Sequence, residues 1–127
     1  MNFEKVAFAF FVLLALTLNF SFFVGDVADP VAHNVFELFA AIVVSLIATI
    51  MKFGDRTQLG ALLIASSLVA DLQLIIAAVV WGYAEHIANN LSDPATIASI
   101  VSLSGGAVLA NIVSVVLLTA EALTARR

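Results

Sequence analysis

The sequence predicts an all-α, polytopic membrane protein, with four transmembrane helices in one bundle and both termini on the cytoplasmic side. Three observations carry this reading. First, 63% of the 127 residues are hydrophobic and only 11% are charged, whereas a soluble domain has about 45–50% apolar and about 25% charged residues. A small globule in water still exposes much of its surface, so lipid is the solvent that matches this composition. Second, the apolar residues gather into four runs near the ~20-residue length that spans a bilayer. Third, the five basic residues, Lys5, Lys52, Arg56, Arg126 and Arg127, all fall on one side once four spans are drawn.

The first run covers about residues 6–24 and ends at Gly25, Asp26, Asp29 and Pro30. Its apolar stretch is longer than the ~7–15 residues of a signal peptide, and no small-x-small cleavage site follows Phe22-Phe23-Val24, so an uncleaved first helix is expected. The second covers about 31–51, interrupted only by His33, Asn34 and Glu37, and closes at the polar turn Lys52-Phe53-Gly54-Asp55-Arg56-Thr57-Gln58. The third covers about 59–83 and carries one charge, Asp71, near its middle. A polar loop from Glu85 to Pro94 precedes the fourth run, about 95–120, which has no charge before Glu121. None of these runs alternates polar and apolar residues as a barrel strand does. The length fits a single domain, residues 1–127.

The first and third connections carry Asp26, Asp29, Glu85 and Asp93 and no Lys or Arg. Basic residues are retained on the cytoplasmic side, which places the termini and the short second turn inside. Trp81 and Tyr83, with Phe20, Phe22 and Phe23, then form an aromatic belt at the outer interface.

Helices in lipid associate through small residues that let backbones approach. On the fourth helix Ser102, Gly106, Ala110 and Ser114 repeat at i+4. The third presents Gly60, Ser67, Asp71, Ala78 and Gly82, and the second Glu37, Ala41, Ser45 and Ala48. These stripes read as the inside of the bundle. The Phe-rich first helix, whose one strong polar residue is Asn19, reads as largely lipid-facing. Packing alone accounts for such stripes more economically than a pore lining.

Asp71 is the sharpest chemical feature. It lies about 18 Å into its span at 1.5 Å per residue, where insertion of a charged aspartate costs at least ~2.5–3.5 kcal/mol. It is therefore expected to face inward, find donors or stay protonated. Asn111, at matching depth on the fourth helix, is the expected partner, with Gln73, Ser67 and Asn19 as further donors. Asp71 is either an ion- or proton-binding carboxylate or a polar clamp between helices. Nearer the outer side, His33, Glu37, Glu85 and His86 could in principle form a metal, haem or pH-sensing cluster. Interfacial solvation is the simpler account, because neither histidine is deep in a helix and no ligand-spacing motif is present. Neither a metal nor a cofactor is expected. Glu121 reads as a solvated helix end beside Arg126 and Arg127.

Other classes drop out on the same reading. With no cysteine, disulfides, thiolate metal sites and cysteine nucleophiles are excluded. A net charge of −4 argues against a nucleic-acid partner. No nucleophile–base–orienter set and no Gly-rich phosphate loop appears, so no enzyme is expected.

The segment from Lys52 to Gly60 (KFGDRTQLG), together with Ser67 to Gln73 (SLVADLQ), resembles a family of small bacterial inner-membrane proteins of unknown function, over most of the chain. The resemblance implies an association with bacterial ion channels, potassium channels in particular, as a companion subunit. Two other families of this size do not fit. Small multidrug transporters keep an essential glutamate within the first helix, where this chain has Asn19. Small fluoride channels have a Gly-Arg pattern that is missing here. Members of both often insert in two orientations, whereas the basic bias here favours one, so any homo-oligomer should be parallel and cyclic. The sequence therefore points to an accessory or assembly subunit of an ion channel or transporter, packed beside that partner or its own copies. The alternative is a small parallel homo-oligomeric ion or proton pathway using Asp71.

Overall fold

In the computed structural model, which describes residues 3–28, 35–54, 57–90 and 93–125, the chain is a bundle of four helices: α1 (Phe3–Ala28), α2 (Val35–Lys52), α3 (Gln58–Tyr83) and α4 (Pro94–Ala125). All four are long and apolar enough to cross a membrane. Each packs mainly against two others, in the cyclic order α1–α2–α3–α4–α1. This is a multi-pass membrane protein by helix length and hydropathy.

Helix ends follow from local chemistry. α2 stops at Lys52-Phe53-Gly54, where Gly54 takes φ +95°, a conformation open to glycine because it has no Cβ. Thr57 caps α3, its side chain accepting from the Gly60 backbone N–H at 2.9 Å. After Tyr83 the backbone widens into one π-helical turn, Ala84–Ala88, which ends at Asn89 in the left-handed region (φ 53°). Asparagine is one of the few residues with a side chain that tolerates this conformation.

The buried stripe on α1 is Phe8, Val12, Ala15, Asn19 and Phe22. On α4 it is Ile100, Ser104, Ala107, Asn111 and Ser114. Both step by four and three residues in alternation, the 3.5-residue period of left-handed helix packing. The opposite faces expose Phe3, Val6, Phe10, Leu13, Phe20 and Val24 on α1, and Phe36, Phe39, Val43, Leu46 and Ile50 on α2. That much apolar surface suits hydrocarbon and would aggregate in water.

Two apolar clusters fill the interior. One gathers Phe22, Leu38, Leu74, Trp81 and Ile100 with the small residues Ala41, Ala70, Ala77, Ala107 and Ala110. The other gathers Phe8, Val12, Ala48 and Leu63 at the opposite end. In sequence, Ser45, Ser66, Ser67, Asn111 and Ser114 fall between the two, so the bundle is apolar at both ends and polar in its middle.

Three expectations about surfaces change. Trp81 and Phe22 do not belong to an interfacial belt: both are buried against each other, ring centroids 6.1 Å apart, while Tyr83 and Phe20 are exposed. Ser102 is exposed and lies off the packing stripe. Strict i+4 steps advance about 40° per step at 3.6 residues per turn, so a stripe running 102–106–110–114 winds about 120° around the helix and leaves the interior at one end. Glu121 pairs with Lys52 across the bundle at 3.5 Å, and Lys52 also lies 5.2 Å from the centre of the Phe8 ring. Arg126 and Arg127 lie outside the described residues.

Candidate functional site: a polar layer across the bundle

Asp71 is buried, and both of its carboxylate oxygens are engaged by α2. Ser45 Oγ lies 2.5 Å from Oδ1 and Thr49 Oγ1 lies 2.7 Å from Oδ2. Ser45 and Thr49 are one turn apart, so their hydroxyls project from the same face at the spacing of a carboxylate's two oxygens. Thr49 Oγ1 also lies 2.9 Å from the Ser45 carbonyl, the common i−4 contact of a helical threonine. Asp71 thus ties α3 to α2.

This replaces the expected Asp71–Asn111 pair. Matching depth does not decide which way a side chain faces. Ser66, five residues before Asp71, faces α4 through a 2.6 Å hydroxyl–hydroxyl contact with Ser114. Five residues turn about 140° around a helix, so Asp71 faces α2 and cannot also serve α4. Thr49 and Ser66 are not among the candidates that the sequence offers. The signal that could have found Thr49 is its i+4 spacing from Ser45, on a helix whose inner face needs donors for a buried carboxylate.

Two glycines of α4 are tightly covered by side chains. A Cβ on Gly106 would stand 2.5 Å from Gln73 Oε1, and one on Gly105 would stand 2.9 Å from Phe23 Cε1. Gly105 and Gly106 lie within the continuous helix α4. The Phe23 ring and the Gln73 amide come close against the backbone of α4 at this glycine pair. Of the remaining packing residues, Gly60, Ala110 and Ser114 are buried and Gly106 is half-buried.

The amides are placed differently from the carboxylate. Asn19 is completely buried and Asn111 nearly so. Both amide atoms of Asn19, together with Gln73 Oε1 and Asn111 Nδ2, are buried with no hydrogen-bond partner among the described residues. None of these three amides is a donor to Asp71. Ser67 is buried on α3, four residues before Asp71.

The acid and histidine residues of the other end divide into separate pairs. Glu37 accepts from Ser21 Oγ at 2.6 Å, which ties α2 to α1. Glu85 accepts from Trp81 Nε1 at 3.0 Å and lies 3.8 Å from His86 Nε2, a largely exposed contact. His33 lies outside the described residues. Among the described residues no three of His, Cys, Asp and Glu are placed to hold a metal ion.

Comparison with known proteins adds a family and nothing on activity. No curated protein and no solved structure matches the chain. Residues 32–122 match a family described as "Family of unknown function (DUF6394)", a stretch that takes in α2, α3 and all but the last residues of α4, with the Asp71 clamp, the Ser66–Ser114 contact and the Lys52–Glu121 pair. A match over most of the chain places this four-helix membrane protein in the DUF6394 family.

Proposed function

We propose that this chain is a non-enzymatic subunit of the bacterial cytoplasmic membrane, with both termini in the cytoplasm, that assembles with an ion channel or transporter. The observation that carries this reading is the full engagement of Asp71. The most deeply placed carboxylate of the spans has both oxygens bound by hydroxyls of the neighbouring helix of the same chain. That is the arrangement of a clamp that holds a bundle together. A transport carboxylate instead needs a free oxygen facing a path. The basic bias of the loops supports the orientation, and the likeness of the 52–60 and 67–73 segments to small inner-membrane proteins supports the channel association.

A second reading rests on a proton count. Thr49 has one hydroxyl proton and two acceptors within reach, the Ser45 carbonyl and Asp71 Oδ2. Three close contacts are therefore served by two hydroxyl protons. A homo-oligomeric proton pathway through Asp71 would supply a proton for that third contact.

Two measurements separate the readings. In liposomes the purified chain is expected to carry no cation or proton flux alone. Isolated from its membrane in mild detergent, it is expected to bring along a larger transport protein in fixed ratio. Flux by the chain alone that disappears in Asp71→Asn, with the assembly intact, would overturn the subunit reading in favour of the second. A cysteine at position 55 labelled in intact cells by an impermeant thiol reagent would overturn the orientation.

A further inference from the structure

Three amides carry buried atoms without a partner among the described residues, and they stand within about one and a half helical turns of one another along the bundle. Phe23 of α1 lies against Gly105, and Gln73 of α3 lies against Gly106. α1 and α4 run antiparallel, since Phe8 and Val12 at the start of α1 cluster with Val115, Leu117 and Leu118 late in α4. Asn19 is four residues before Phe23, which puts it about 6 Å along the axis and opposite residue 109. Asn111 is five residues beyond Gly106, about 7.5 Å along the same axis. Asn19 therefore sits between Gln73 and Asn111 in height, and α4 packs against both α1 and α3.

The unpartnered atoms are also complementary in kind. Asn19 offers one donor, Nδ2, and one acceptor, Oδ1, whichever way its amide is turned. Gln73 adds an acceptor, Oε1, and Asn111 adds a donor, Nδ2. A balanced set of two donors and two acceptors suits neither a cation nor an anion. It suits a neutral molecule that both donates and accepts, and water is the smallest. A dry site with four orphaned polar atoms would be costly, because each loses its hydration with nothing in return.

We propose that Asn19, Gln73 and Asn111 form an internal water site that joins α1 to α3 and α4. One water accepts from Asn19 Nδ2 and donates to Gln73 Oε1. A second accepts from Asn111 Nδ2 and donates to Asn19 Oδ1. All four orphaned atoms are then satisfied. The spread in height, too long for direct amide–amide bonds throughout, is spanned by the two waters. Gly106 is part of the site, since a side chain there would displace the Gln73 amide.

The test uses the full chain, isotope-labelled on asparagine and glutamine, in lipid nanodiscs. Magnetisation transfer from water to the side-chain amide protons of Asn19 and Asn111 is measured by NMR, with assignments made from Asn19→Leu and Asn111→Leu. Transfer at both amides is expected, although both side chains are buried from bulk solvent. Absence of transfer at either overturns the site. Unfolding by sodium dodecyl sulfate in mixed micelles gives a second readout. Each single variant is expected to lower the midpoint, and the double variant to lose less than the sum, because the two share one water. Single variants that raise the midpoint, with additive effects, mean that the amides are dry and strained, and the proposal fails. If a variant does not fold, the wild-type transfer decides.

Discussion

Toward α2, the helix α3 presents one carboxylate, and both of its oxygens are held by hydroxyls one turn apart. Toward α4, some 140° around the same helix, it presents Ser66 and the Gln73 amide to a face of serine, alanine and glycine. The first contact concentrates its polar interaction in a single residue. The second spreads its interaction over close backbone approach, where no one hydrogen bond matters much. In lipid there is no hydrophobic drive between helices, so both routes rest on packing and hydrogen bonds. They fail in opposite ways: the α2 side by losing a group, the α4 side by gaining one.

The largest effect should come from adding bulk on the α4 side. Gly106→Leu places a branched side chain where the Gln73 amide already stands, and over-packing of this kind costs about 1–3 kcal/mol. The midpoint of detergent-induced unfolding should fall accordingly. An unchanged midpoint would mean that α3 and α4 are not held at the spacing Gly106 permits. Next is removal on the α2 side. Asp71→Leu loses two interhelical contacts that average ~0.6 kcal/mol each in membranes, for a loss of about 1 kcal/mol in the same assay. Asp71→Asn keeps the shape and an acceptor, and should lose much less. Equal losses for Leu and Asn would show that the clamp depends on the carboxyl itself. The smallest effect belongs to Ser66→Ala, at ~0.6 kcal/mol or less, because Ser114 keeps its second contact with the Ala110 carbonyl. Ser102→Leu is the control: exposed on α4, it should leave the midpoint unchanged, and a clear loss there would restore the i+4 stripe as the packing surface.

The residues that reasoning from sequence placed well and those it placed poorly differ in kind. Asp71 stands out in any reading, because one charge in a long apolar run must be accounted for. Its partners do not, because serine and threonine are common in membrane helices and carry no mark of what they face. Asn111 matches Asp71 in depth alone, and depth is a one-dimensional coordinate. Trp81 at a helix end suggested an interfacial belt. The structure buries it instead, because Phe22 of α1 packs on its ring and Glu85, one turn on, takes its indole N–H. Glu121 looked like a solvated end beside two arginines close in sequence, yet its partner Lys52 is 69 residues away.

The sequence by itself determined the solvent, the class and the helices. Composition, run length and the absence of alternation are properties of single segments, and the backbone in lipid has few ways to satisfy its own hydrogen bonds other than a helix. It also determined that a carboxylate and several amides had to be housed at depth. Only the tertiary structure decided which helices are neighbours, that Asp71 turns to Ser45 and Thr49, and that Asn19 and Asn111 are buried with amide atoms left unpartnered. Those outcomes depend on rotation and register between helices. Both are set by the packing of small residues from segments far apart in the chain, and no local pattern records the angle at which two helices meet.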